Sequence, residues 1–271
     1  MATYKLHKLK TYKAHAGPSQ DYINNRPDLV QDRVTPTRAG RYVVHSIDKH
    51  VSSQRWLLST IAWGTPMKFE KGVVYIQRQG KWTKLSSINS QWRNAGSEKE
   101  LHDWLLAQYK SYNYKGTQLY QAPFPDKWIF NDFGHVSVKY YKDVNNNYQL
   151  DKKESLMGDF IHTTPNDEAV TAYNKKNPTI AKPIELVSSH GCVHIKPDDI
   201  DEMISHKYIE KGTSFVVHPY STSPVIKNTM DVNDKNRSPI KAYEVHFFPV
   251  ASSKDNLTGS GEIVIYSIRK T

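Results

Sequence analysis

Alternating apolar and polar positions recur along the chain and set most of its expected elements. In "TPTRAGRYVVHSI" (Thr35 to Ile47), Pro36 and Gly40 mark a turn, and Tyr42, Val44 and Ser46 then alternate with Val43 and His45, the period of a strand. "GVVYIQRQGKWTKLSSI" predicts a hairpin that turns near Gln79-Gly80. "HVSVKYY", "SLMGDFIHTT" and "GTSFVVHPY" read as further strands, and the tail pairs "AYEVHFF" with "EIVIYSI" across a loop rich in Gly, Ser and Asn. Two stretches follow the helical period instead. In "SEKELHDWLLAQYKSY", Ser97 and Glu100 form a capping box, with Leu101, Trp104, Leu105 and Tyr109 on one face. "KPDDIDEMISH" opens with Pro197 and two aspartates, which suit a helix start. The segment up to Val34 reads as polar and irregular. The pattern as a whole predicts a mainly β fold with a few helices, of the α+β class.

Bulk properties narrow the partners. The chain has 271 residues, the upper end of one β-rich domain and enough for two smaller ones, and holds 37 Lys and Arg against 27 Asp and Glu, a formal charge of +10. A basic surface favours anionic partners, but the charge is spread, with no block of five like charges and no arginine-rich helix, so no nucleic acid partner is expected. No apolar run approaches the ~18 residues of a membrane span. The N-terminus carries lysines but no apolar run of signal-peptide length. Composition does not fix an oligomeric state.

The chain's one cysteine sits in "LVSSHGCVHIKPDDIDEM". Cys192 follows Gly191, with His190 and His194 two positions to either side. A lone cysteine is most often a small buried hydrophobe. Residues 190, 192 and 194 would share one face of a strand and offer zinc two imidazoles and a thiolate, although Gly191 argues against a regular strand and no fourth ligand follows. The third reading is a nucleophile. A free thiol has a pKa of roughly 8.5, so it needs a nearby histidine, and His190, His194 and His162 are the candidates. Gly191 lets the backbone turn sharply, so that N–H groups can converge on a developing oxyanion.

These residues resemble a known family. "SHGC" followed by an apolar residue, with "GDFIHTT" upstream, "TPTRAGRY" near the domain start and "EKGTSFVVHP" as a closing strand, is similar to the L,D-transpeptidase catalytic domain, often called the YkuD domain. The similarity covers Thr35 to Ile47 and about His135 to Tyr220. It implies a mixed β-sheet catalytic domain with an inserted helix-containing subdomain. The expected division is an N-terminal segment 1–34, a catalytic domain 35–47 and 129–220, an inserted subdomain 48–128, and a C-terminal β-hairpin extension 221–271.

The resemblance implies that Cys192 attacks the amide after the third residue of a peptidoglycan stem peptide, with His162 as general base. The backbone around His190, Gly191 and Cys192 would form the oxyanion hole. Ser189, Thr163 and His194 would stand on the substrate side. No cofactor is implied, peptidoglycan stem peptides are the partners, and the setting is periplasmic or extracytoplasmic, reached through a removed signal or another export route. The chain departs from the family pattern in three places. The stretch from Pro165 to Leu186 is enlarged, His194 stands where Arg or Asn is common, and a long insertion separates Ile47 from His135. Its Trp56, Trp63, Trp82, Trp92 and Trp104 could line a groove, but tryptophans at such spacing more often pack.

"DVNNNYQLDKKE" matches most of a calcium loop, with Asp143, Asn145, Asn147, Gln149, Asp151 and Glu154 at its ligand positions. Tyr148 stands where that loop needs Gly, which favours a plain hairpin tip. The function expected is a cysteine-dependent L,D-transpeptidase, with L,D-carboxypeptidase activity or a secreted wall-attacking effector as variants. A wall-binding module with an inert cysteine is the reading of another class.

Overall fold

The computed structural model describes residues 4–52, 56–121, 124–232, 241–251 and 259–270. In chain order the first elements are β1 (Tyr4–Ala16), α1 (Gln20–Asn24), α2 (Pro27–Gln31), β2 (Gly40–Asp48), β3 (Met67–Glu70), β4 (Val73–Arg78), β5 (Lys81–Lys84), α3 (Ser90–Asn94) and α4 (Glu98–Ser111). β6 (Asn113–Tyr114), β7 (Thr117–Gln118), β8 (Ser137–Tyr141), β9 (Ile161–His162), α5 (Pro165–Lys176), β10 (Val193–Ile195) and α6 (Pro197–Ser205) follow. β11 (Ser214–Val217), β12 (Thr229–Asp231), β13 (Tyr243–Pro249) and β14 (Gly259–Lys270) complete the series. The fold is mixed α+β and mostly β, built on one large mixed sheet. Among the described residues, no helix is long and apolar enough to cross a membrane.

The chain divides into two compact units: Met1–Asp48, Val138–His162 and Leu186–Thr271 form the first, and Lys49–Ser137 with Thr163–Glu185 the second. In the first unit the sheet order is β10-β9-β8-β2-β11-β13-β14-β1-β12, and a further pairing of β1 with β10 returns the sheet on itself. β9–β10 and β11–β13 are parallel, whereas β1–β14, β13–β14 and β2–β11 are antiparallel. By register, Tyr42, Phe215, Val245 and Ile265 line up across four strands, and all are buried. Burying each such side chain contributes about 1.5–3 kcal/mol.

The expected irregular N-terminal segment is instead a 13-residue strand, and the expected C-terminal extension lies within the sheet, between β11 and β1. A bulge between Lys8 and Lys10 explains why the strand was hidden. Leu6 pairs with Ile268 and packs with Tyr266 and Phe248, whereas Tyr12 pairs with Ile263 on the opposite face. One extra residue flips the alternation, so no single period runs through β1.

In the second unit, α4 forms as its capping box predicts: Glu100 Oε2 accepts from Ser97 N–H at 2.7 Å. Leu101, Leu105 and Tyr109 face inward, but Trp104 is 40% exposed at the edge of that face. The predicted hairpin is β4–β5, with positive φ at Gln79 and Gly80. Trp92 and Trp128 are fully buried edge to face, with ring centres 5.6 Å apart. Their indole N–H groups donate to Thr60 Oγ1 and the Leu58 carbonyl. Trp92 is thus a packing residue and not part of a groove. The tail's loop lies mostly outside the described residues.

Candidate active site

Three distant stretches of the first unit hold the turn that carries Cys192. Ser189 N–H donates to the Ala16 carbonyl at the end of β1 (3.2 Å). Thr35 Oγ1 donates to the His190 carbonyl and Thr37 Oγ1 to the Gly191 carbonyl, both at 2.8 Å. Thr37 Oγ1 also accepts from Gly17 N–H (3.1 Å). Tyr220 O–H donates to the Gly17 carbonyl and accepts from Thr37 N–H. Inside the turn, Ser189 Oγ accepts from Gly191 N–H at 3.0 Å and donates to the Cys192 carbonyl at 2.5 Å. A trans peptide points its carbonyl and its N–H in opposite directions. Anchoring the Gly191 carbonyl on Thr37 therefore aims the Cys192 N–H away from Thr37, the orientation that an oxyanion donor requires.

Gly191 is required for two reasons. Its φ is +126°, and a Cβ there would fall 2.6 Å from Thr35 Oγ1 and 2.8 Å from Asp159 Oδ1. A hydroxyl and a carboxylate thus fill the space beside this glycine. Burial pushes the Asp159 carboxyl up, against the pull of Arg38.

The parallel pairing of β9 with β10 sets the rest of the geometry. His162 lies opposite His194, and Val193 opposite Ile161. Cys192 immediately precedes β10 and stands across from Phe160, whose N–H donates to Cys192 Sγ at 3.4 Å. Cys192 and His162 are therefore diagonal neighbours on adjacent parallel segments. The cysteine is partly exposed and His162 is buried. The ring of His190 is exposed, while its carbonyl is held by Thr35.

The three residues expected on the substrate side are all buried. His194 is buried, its Nδ1–H donates to the Val187 carbonyl at 2.8 Å, and its ring meets that of His162 edge on, with centres 4.7 Å apart. Burial lowers its pKa to about 4, so it is neutral near pH 7 and cannot present a cation to a substrate carboxylate. Thr163 is fully buried in the second unit, where its hydroxyl donates to Glu168 Oε1 instead of facing a substrate. Glu168 also accepts from His135 N–H. Ser189 is buried as well, and both hydrogen bonds of its hydroxyl shape the turn.

The loop from Asp143 to Glu154 is closed by its own side chains. Asp143 accepts from Asn147 and Tyr148 N–H, Asn147 from Gln149 N–H, and Glu154 from Val144 and Asp151 N–H. Asn145 donates to Asp151. Tyr148 takes the positive φ that Gly normally supplies. Among the described residues, no group of three or more His, Cys, Asp or Glu could hold a metal ion.

Sequence reasoning assigned no role to Thr35, Thr37, Gly17, Tyr220 or Asp159. "TPT" carried the signal for the first two, and an acidic residue just before the apolar "FI" carried it for Asp159. No known protein family, curated protein or solved structure matches the chain.

Proposed function

We propose that the chain is a cysteine-dependent acyltransferase of the L,D-transpeptidase type, acting on peptidoglycan tetrapeptide stems outside the cytoplasm. The observation that carries this reading is the built turn: Thr35 and Thr37 fix the carbonyls on either side of Gly191, and Cys192 lies diagonal to His162. A buried packing cysteine needs no such scaffold.

In this reading His162 takes the thiol proton, and the thiolate attacks the carbonyl of the third stem residue. The Cys192 N–H binds the resulting oxyanion. The C–N bond to the terminal D-amino acid then breaks, its nitrogen takes the proton from His162, and a thioester remains on Cys192. An amine of a second stem attacks the thioester, gives its proton to His162 and releases the thiolate. Water in place of the amine makes the same enzyme an L,D-carboxypeptidase. Incubation with disaccharide-tetrapeptide, followed by mass analysis, tests the reading. Crosslinked dimer supports transfer, and disaccharide-tripeptide alone supports trimming. Unchanged substrate that is nevertheless retained by the protein would replace both with a wall-binding module.

A further inference from the structure

The reading above leaves one charge of the substrate without a partner. The terminal D-amino acid of a tetrapeptide stem ends in a carboxylate, which only the amide nitrogen and one carbon separate from the attacked carbonyl. His194, buried and neutral, cannot meet it. The oxyanion formed during attack has the same sign, so the two groups repel each other and need separate donors. The Cys192 N–H serves the oxyanion and is aimed away from Thr37. A positive group on the Thr37 side of the turn is therefore required for the carboxylate.

Arg38 meets that requirement. It follows Thr37, whose Oγ1 donates to the Gly191 carbonyl at 2.8 Å and lies 3.4 Å from the Cys192 carbonyl. Its own carbonyl accepts from Tyr42 O–H at 2.8 Å, and the Tyr42 ring packs on that of Tyr140, with centres 5.0 Å apart. The backbone at Arg38 is thus tied to the Cys192 turn on one side and to the buried core on the other, while the side chain is exposed. Among the described residues its guanidinium makes no hydrogen bond or ion pair. Its field nevertheless reaches the site. Asp159, whose Oδ1 lies 2.8 Å from the Cβ position of Gly191, is pushed up by burial and pulled back by Arg38. Burial, Asp159 and Cys192 all push the Tyr140 hydroxyl up, and Arg38 opposes them. Burial favours the neutral form of Asp159, which limits both its pairing with Arg38 and its repulsion of a second carboxylate. A planar guanidinium fork matches a carboxylate with two parallel hydrogen bonds. We propose that Arg38 is a substrate-binding residue that holds the carboxylate of the leaving D-amino acid. This inference rests on the acyltransfer reading and names the charge that selects its substrate.

Steady-state kinetics of the intact protein on disaccharide-tetrapeptide and on its C-terminal carboxamide test the proposal. The unaltered chain should show a KM about tenfold or more higher for the carboxamide, as the loss of a charge-assisted hydrogen bond implies, with kcat little altered. Arg38→Gln should raise KM for the acid by a similar factor and leave the carboxamide unchanged. Arg38→Lys keeps the charge without the fork and should recover part of the loss. The side chain is exposed, so unchanged melting curves will show that the fold survives both substitutions. Equal KM values for the two substrates in the unaltered chain, or an Arg38→Gln effect that is absent or equal for both, would overturn the assignment and leave the acyltransfer reading standing. So would an acid-selective loss in His190→Gln that Arg38→Gln does not show. No product from either substrate with the unaltered chain would overturn both.

Discussion

The turn at Cys192 and the loop from Asp143 to Glu154 are both dense in turn-forming residues, yet they are built in opposite ways. The carbonyls of the first are held by hydroxyls 155 and 154 positions away in the chain. The amides of the second are held by side chains no more than ten positions away. A loop that satisfies itself can form alone, and it shapes nothing beyond its own backbone. A turn that depends on β1, on "TPT" and on β9 exists only once the sheet has formed, and its N–H groups are then aimed by the whole unit. The difference separates a turn held by the whole unit from a self-contained one better than composition does.

The largest break in this comparison removes the proposed base and leaves the scaffold in place. His162→Gln should lower kcat by about 10²–10⁴-fold, the usual contribution of a general base, with a smaller change in KM. Steady-state kinetics on disaccharide-tetrapeptide measure it.

Breaking the scaffold itself comes next. Thr37→Val leaves Gly17 N–H and the Gly191 carbonyl without their partner, at a cost of about 1–3 kcal/mol by denaturant unfolding, together with lost activity. Thr37→Ser keeps the hydroxyl and should recover most of both.

A smaller effect should appear with pH. The folded-state pKa of His194, about 4, lies below the ordinary 6.5, so the fold favours the neutral ring. The unfolded chain binds more protons between those values, and stability should therefore fall as pH drops from 6.5 toward 4. His218, also near 4 and bonded to His246 at 3.0 Å, adds to the same trend. His194→Asn keeps a donor for the Val187 carbonyl, and its melting temperature should fall less across that window than that of the unaltered chain.

The smallest effect belongs to the self-contained loop. Asn145→Ala should change stability by no more than about 0.5 kcal/mol and leave activity unaltered. A chelator should leave the melting temperature where it was. A calcium-dependent rise would place this loop with the functional sites.

Much of the fold was legible where one period runs unbroken. β2, the β4–β5 hairpin, α4 with its capping box, and the β13–β14 pair were all readable from local signals. β1 was not, because its bulge changes face midway and its partner β14 lies at the far end of the chain. α5 was also missed, although Thr164 and Pro165 stand at its start and Thr164 accepts from Asp167 N–H. The long connection after His162 drew attention to its length instead of its caps. At the candidate site, Cys192, His162, His190 and Gly191 were singled out by motif and do lie on one turn and its neighbouring strand. The burial of His194 has a physical basis. Two residues after a partly exposed cysteine, the chain has already entered β10 and its ring is buried against His162. His194 thus shares the strand face of Cys192, covered by its packing on His162.

The central claim is that Cys192 is a nucleophile, and intact-mass spectrometry during turnover tests it most directly. Mixed with disaccharide-tetrapeptide and quenched in acid, the protein should carry an adduct equal in mass to the disaccharide-tripeptidyl group. Peptide mapping should locate the adduct on Cys192, and Cys192→Ala should show none. An unmodified protein mass with unchanged substrate would contradict the account.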